Sequence, residues 1–208
     1  MSKINSYVAN STGKLTPLLT KINSALDEGV AVLVDKLKAN EIDIVFVYAP
    51  LAVIPEMGVG ANSPGPNNIY VAFDPAFKNL KQEDIFLSIV HEGHHCMRWR
   101  KPGYGTSLGE AMISEGLATL FEEEISGKPP IYSQVKITDE ETEKAKRNLN
   151  KKTYDHAEWF FGSKKVQRWF GYTYGYQLCK AYSIKTGKQA YDLVNTEARL
   201  ILDSNLSV

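Results

Sequence analysis

The sequence predicts an α+β fold, with a small N-terminal β-sheet packed on a helical core. Two short runs rich in β-branched and aromatic residues, Ile42–Tyr48 and 69–73, indicate strands in the first half of the chain. From about residue 82 onward, apolar residues recur at helical spacing between Gly- and Pro-containing breaks. Strands that are followed by helices alone are typical of an α+β fold rather than of alternating βαβ units.

The length of the chain indicates its domain organisation, and its charge balance indicates which partners to expect. The chain of 208 residues fits a single domain, 1–208, in which we expect an N-terminal α/β lobe at about 1–100 and a C-terminal helical lobe at about 101–208. Lys plus Arg and Asp plus Glu number 24 each, so the formal net charge is zero. Because a chain without net charge has no strong positive electrostatic potential that would attract polyanions, we expect neither nucleic acid nor a membrane as a partner. The oligomeric state stays open.

Cysteine usage and hydropathy predict a cytoplasmic protein. Two cysteines, Cys96 and Cys179, do not make a disulfide framework in a chain of this length. The start of the chain, residues 1–6, lacks the apolar segment of a secretory signal. The longest apolar region, 42–54, contains Pro50 and is too short to cross a bilayer.

Apolar periodicity and capping signals define the remaining elements. A first helix is predicted at 18–38, and a cluster of Gly, Pro and Asn predicts a loop at 58–68. Ser107 and Glu110 have the spacing of a capping box, which opens a helix that Gly127 ends. The other predicted helices are Gln82–Arg100, 138–152, 174–185 and 189–202.

The most informative motif is H-E-x-x-H at residues 91–95, inside a predicted helix. Residues four apart lie on one face of a helix, so His91 and His95 can present two imidazole nitrogens to one point. Glu115 follows His95 by twenty residues, on the next predicted helix, where its small and apolar neighbours make an unpaired carboxylate costly. Two imidazoles, a carboxylate and one position left to water form the coordination of a catalytic zinc. We therefore predict a Zn²⁺ site at His91, His95 and Glu115.

Glu92 is the predicted general base. Zinc lowers the pKa of a bound water from near 16 to about 7. The Glu92 carboxylate can then accept the proton of that water and later pass it to a departing amine. The motif predicts a metallopeptidase that acts on a peptide or protein substrate, whether as an endopeptidase or as an exopeptidase.

Two neighbouring side chains keep other interpretations open. His94 lies three positions from His91, and Cys96 directly follows His95. If either were a fourth ligand, the site would be closed to water, as in zinc proteins that use the ion for structure or regulation. A hydrolase of a non-peptide amide or ester would need the same open site as a peptidase.

These motifs resemble those of the gluzincin metallopeptidases, in which a glutamate on the following helix is the third ligand. The H-E-x-x-H segment with Ser-Glu-Gly-Leu-Ala at 114–118 resembles in particular a bacterial family of predicted zinc-dependent proteases, a domain of unknown function. The Gly-rich loop and strand at 58–73 and a Gly-Tyr-x-x-Gly-Tyr element at 171–176 extend the resemblance. It covers most of the chain from about residue 42 onward.

The resemblance implies a zincin-like catalytic core and further site residues. It implies that the strand 69–73 edges the cleft, where an extended peptide can add as a strand. It also directs attention to a tyrosine hydroxyl as the donor to the oxyanion. Tyr172 and Tyr176, one helical turn apart, are the candidates. Tyr174 and His156 stay open for this role, and simple core packing is the alternative for these aromatic residues.

Overall fold

A computed structural model describes residues 3–206, and it has the predicted α+β class: a four-stranded mixed sheet followed by helices. The chain divides into two compact units, one that ends at Arg100 and one that begins at Lys101. Residues 1, 2, 207 and 208, which the predicted domain 1–208 includes, lie outside the described part. No helix within residues 3–206 combines the length and the hydropathy that crossing a membrane requires.

The first unit contains the sheet, in the spatial order β1-β2-β4-β3. β1 pairs in parallel with β2 and β2 in parallel with β4, whereas β3 is antiparallel to β4. Inward residues of β2 alternate with less buried ones, as expected for a strand with one face against a core. The strands are β1 (Ile4–Ala9), β2 (Ile42–Tyr48), β3 (Val59–Gly65) and β4 (Asn68–Phe73).

Two long helices of the first unit pack against each other, α1 (Leu19–Leu37) and α2 (Gln82–Arg100). Glycines allow the close approach. A Cβ atom at Gly29 would lie 2.8 Å from the side chain of Ile89 on α2, and one at Gly93 would collide with the side chain of Leu33 on α1. α2 also contacts β3 and β4, so the helix that carries the H-E-x-x-H motif is held by the sheet and by α1.

The second unit is helical, and its central pair is α3 with α6. The predicted capping box begins α3, because Ser107 accepts from the backbone of Glu110 while the Glu110 side chain accepts from the backbone of Ser107. Gly127, in the left-handed conformation, ends it. The helices are α3 (Leu108–Ser126), α4 (Asp139–Lys146), α5 (His156–Phe161), α6 (Phe170–Thr186), α7 (Ala190–Leu193) and α8 (Ala198–Leu206).

The sheet contains two strands that the sequence did not predict. The loop predicted at 58–68 is wrong, because most of it forms β3 and pairs with β4, with an irregular register between Asn62 and Gly65. β1 was not predicted either; most of its side chains are exposed, so it lacks the alternation of a half-buried strand. Since β4 is paired on both sides, the expectation that an extended peptide adds as a strand to 69–73 is also wrong.

Three predicted helices differ from the observed ones in their bounds. The charged helix expected at 138–152 ends at Lys146, and beyond it the backbone N–H groups of Asn148 and Lys151 bond to oxygens three residues earlier, as in turns. The helix expected at 174–185 starts earlier, at Phe170. The one expected at 189–202 is split into α7 and α8.

Candidate metal centre

His91 and His95 form a buried pair on one face of α2. Their Nε2 atoms are 3.0 Å apart, and the two rings meet edge to face with centroids 4.7 Å apart. Imidazole nitrogens that bind one tetrahedral zinc at about 2.0–2.1 Å stand about 3.3 Å from each other. The observed pair therefore needs only a small adjustment to share an ion.

Glu92 and Cys96, four residues apart on α2, lie beside this pair. Glu92 is 7% exposed, so its carboxylate is removed from bulk water. The Cys96 thiol contacts the backbone oxygen of Asn68 on β4 at 3.6 Å, and burial raises the pKa of Cys96 to about 12. Cys96 is therefore a protonated, sheet-facing side chain, as expected of a small buried hydrophobe.

Glu115 lies on α3 and is also 7% exposed. The hydroxyl of Tyr104 donates a hydrogen bond to its Oε1 atom at 2.6 Å. The backbone oxygen of Tyr104 in turn accepts from Ser114 Oγ at 2.6 Å. The residue directly before Glu115 therefore anchors the main chain of the tyrosine that holds the Glu115 carboxylate.

Three buried side chains form one group of candidate ligands. A ligand atom from each of His91, His95 and Glu115 lies within 4.8 Å of the other two. Among residues 3–206, neither His94 nor Cys96 joins this group. Imidazole nitrogen and carboxylate oxygen are ligands that zinc accepts, so the donor set fits that ion. These are the three residues that the sequence predicts as ligands, and their binding of zinc stays a prediction.

In a comparison with family models, residues 22–203 match the family described as predicted Zn-dependent protease (DUF2268). The chain belongs to this family. The match includes α2, α3 and α6, and it begins within α1, earlier than the start near residue 42 that the motifs had indicated. The family description implies a dependence on zinc. Neither a curated protein nor a solved structure matches the chain significantly.

In this family member, a group of tyrosines lies near Glu115: Tyr104 bonds to its carboxylate, and Tyr132 and Tyr154 interact with its charge. Burial, first of all, and then the charge and hydrogen bond of Glu115, raise the pKa of Tyr104 well above its usual value, with smaller effects from Tyr172 and Tyr154. The pKa of Tyr132 is raised mainly by burial and by Glu122, and also by Tyr172 and Glu115. Tyr104, Tyr132 and Tyr154, whose pKa burial also raises, therefore keep their protons at neutral pH and can act as hydrogen-bond donors.

Tyr172 is the predicted oxyanion donor that belongs to this tyrosine group. It is half-buried on α6, and its ring contacts Tyr132 and Phe160, each with a centroid distance of 5.1 Å. The neighbouring Gly116 and Gly175 let α3 and α6 approach, because a Cβ at Gly116 would collide with the backbone of Gly175. The glycines of the Gly-Tyr-x-x-Gly-Tyr element thus have a packing role of their own.

Tyr176 and Tyr174 are engaged elsewhere. The Tyr176 hydroxyl donates to Glu123 Oε2 at 2.6 Å and accepts from Lys180 Nζ at 2.7 Å. Glu123 follows Glu115 by eight residues on α3, which places it about 12 Å farther along the helix axis. Tyr174 stacks on Phe170 with ring centroids 5.6 Å apart.

His156, the histidine outside the cluster, lies beside the tyrosine group. Its ring stacks on that of Phe160 at a centroid distance of 4.2 Å. The rings of Tyr104 and Tyr154 are 6.5 Å and 6.2 Å away. His156 lies at the start of α5, near these tyrosines, and belongs to the stacked aromatic cluster. Its role as a hydrogen-bond donor to the oxyanion stays a prediction.

Tyr104 is the residue that the sequence interpretation missed. It precedes α3 in a short segment between two helices, where no periodicity indicates which way a side chain points. Two glycines flank it, Gly103 and Gly105, both with positive φ values of 109° and 105°. In the sequence, an aromatic residue between two glycines, directly before a capping box, indicates a turn of defined backbone conformation. This pattern could have identified Tyr104 as a candidate.

Proposed function

We propose that this chain is a gluzincin-type zinc peptidase that hydrolyses peptide bonds in peptides or proteins. The observation that carries the proposal is the grouping of His91, His95 and Glu115, whose ligand atoms lie within 4.8 Å of one another. Membership of a family described as predicted Zn-dependent protease supports it. Because the group has three protein ligands, a fourth coordination position is left for water or substrate, as in catalytic zinc sites.

Each side chain then has a defined task. His91, His95 and Glu115 would hold the ion, which when bound acidifies water and polarises the scissile carbonyl. Glu92 accepts a proton at its carboxylate from the attacking water and delivers it to the nitrogen of the departing amine. Tyr172 donates its phenolic hydrogen to the carbonyl oxygen as negative charge develops there. We assign that last role to Tyr172 because the hydroxyl of Tyr176 is bound to Glu123 and Lys180.

We propose the cytoplasm as the location of this activity. The two cysteines, Cys96 and Cys179, are both buried as free thiols. Such thiols suit a reducing compartment, in which disulfides are rare.

The test compares the zinc-loaded protein with two glutamate variants on a mixture of peptides, with cleavage followed by mass spectrometry. Glu92→Gln should keep its zinc and lose about 10²–10⁴-fold in turnover, because the proton acceptor is gone. Glu140→Gln, an exposed change on α4, should cleave at the parent rate.

Three results would contradict the proposal. Turnover by Glu92→Gln at the parent rate would remove Glu92 as the base. Zinc bound tightly by a parent protein that cleaves no peptide and does not bind a hydroxamate would indicate a closed, non-catalytic site. Cleavage of simple esters or amides without cleavage of peptides would assign the site to another class of hydrolase.

A further inference from the structure

Hydrogen bonds and close packing fix the segment that carries Tyr104. Backbone N–H groups of Thr106 and Ser107 both donate to Glu110 Oε2 at 2.8 Å. Gly105 packs against the Glu110 side chain, with which a Cβ atom at that position would collide. The first turn of α3 therefore fixes the course of the chain directly after Tyr104.

Tyr104 itself is anchored at both ends. Its backbone oxygen accepts from Ser114 Oγ at 2.6 Å, and its hydroxyl donates to Glu115 Oε1 at 2.6 Å. Both anchors belong to consecutive residues of α3. The hydroxyl therefore has a fixed position relative to the helix, and the donor is in place before any ligand arrives.

We propose that Tyr104 is a positioning residue that orients Glu115 for zinc through its hydrogen bond to the carboxylate. Because Oε1 accepts the tyrosine hydrogen at 2.6 Å, the carboxylate is held in one orientation before the ion binds. The inference rests on the proposed zinc site and deepens it, because it names the group that orients one of the proposed ligands.

The physical reason is preorganisation. A glutamate side chain has several rotatable bonds, and fixing them costs conformational entropy when the ion binds. A tyrosine held by α3 fixes the carboxylate in advance, and it also compensates one oxygen for its removal from water. Outer partners of metal ligands typically contribute about 10–100-fold to metal affinity.

The second unit offers a matched control. Tyr132 is also buried and also donates a hydrogen bond to a buried glutamate of α3, in this case Glu122. Tyr132→Phe therefore removes a tyrosine–glutamate hydrogen bond of the same kind whose acceptor is Glu122 and not the proposed ligand. Comparing it with Tyr104→Phe separates a loss of ligand orientation from a general loss of a buried hydrogen bond.

The experiment measures zinc affinity of the purified chain by competition with a chromophoric chelator. Tyr104→Phe is expected to weaken zinc binding by about 10–100-fold, Ser114→Ala by a smaller factor, and Tyr132→Phe by less than about threefold. The absorption spectrum of the cobalt-substituted protein should change in Tyr104→Phe and stay as in the parent in Tyr132→Phe. Thermal unfolding of the metal-free variants monitors whether each is folded.

Glu115→Gln distinguishes failure of this inference from failure of the zinc site. If Glu115→Gln weakens zinc binding while Tyr104→Phe and Ser114→Ala do not, Glu115 is a ligand and the positioning role is overturned. If Glu115→Gln itself leaves the affinity unchanged, the proposed ligand set is wrong. An equal loss in Tyr104→Phe and Tyr132→Phe would also overturn the positioning role.

Discussion

Nε2 of His91 lies 3.0 Å from Nε2 of His95, one turn along α2. Both nitrogens are buried within a unit whose helix α2 is packed on α1 and on the sheet. A cation that binds to this pair binds the folded chain and not the unfolded one, so binding is coupled to stability.

Removal of zinc should therefore lower the thermal stability. At a free zinc concentration of about one hundred times the Kd, the gain is about 2.7 kcal/mol, or roughly 5–10 °C in Tm for a chain of this size. The check is differential scanning fluorimetry after chelation and after zinc is restored. His95→Ala should lose the response and His156→Ala should keep it; a full response in His95→Ala would contradict the predicted site.

The two candidate tyrosines of α6 should differ in their effect on turnover. Tyr172→Phe should lower kcat by about 10²–10³-fold with little change in KM, because an oxyanion donor acts in the transition state. Tyr176→Phe should change kcat by less than about threefold, since its hydroxyl is bound to Glu123 and Lys180. Steady-state kinetics on one cleaved peptide decides, and the reverse order would return the role to Tyr176.

Substitution of two glycines beside the site residues should lower the free energy of unfolding to different degrees. A Cβ at Gly93 meets the flexible side chain of Leu33, whereas one at Gly116 meets the backbone of Gly175. Gly93→Ala should cost about 1–3 kcal/mol of the free energy of unfolding, and Gly116→Ala should cost more because a backbone cannot rotate away. Gly65→Ala, with open space around it, is the control. Urea unfolding measures all three, and equal values for Gly93→Ala and Gly116→Ala would contradict this account.

Glu124 should make stability fall as the pH rises towards neutrality. Burial raises its pKa from 4.5 to about 7, while the backbone N–H of Ala190 donates to both of its oxygens. Because the folded-state pKa is the higher one, the folded chain binds more protons than the unfolded chain between these values, and stability is lost from about pH 4.5 to 7.

Glu124→Gln should remove this part of the pH dependence. Since Glu124 is only partly buried, solvent screening limits the effect to about 1 kcal/mol. Urea unfolding at pH 5 and at pH 7.5 is the measurement, and the variant should gain stability relative to the parent at the higher pH. A parent and a variant with parallel pH profiles would contradict the prediction.

Helix α2 and its motif could be predicted from the sequence because the relevant information is local. Spacing of apolar residues and the breaks that follow indicated a helix from about Gln82 to Arg100, and the structure has that helix. The His91–His95 pair then follows from helix geometry alone. The capping box at Ser107 and Glu110 is local in the same way, and it was also predicted correctly.

The structural features that could not be predicted from the sequence depend on contacts between segments that are distant along the chain. β3 contains Gly, Asn and Pro, which have low strand propensity, and it forms because β4 supplies its hydrogen bonds. The bond from Tyr104 to Glu115 spans eleven positions and includes a non-helical segment, so no periodicity relates the two residues. Likewise, the sequence could not show that Tyr176 bonds to Glu123.

The most direct test of the account locates the ion itself. Crystals of the chain grown with zinc should give one strong anomalous peak at the zinc absorption edge, within about 2.0–2.2 Å of His91 Nε2, His95 Nε2 and one oxygen of Glu115. A peak that lies away from these atoms, or a zinc coordinated by the two histidines with the Glu115 carboxylate turned away, would contradict the central claim.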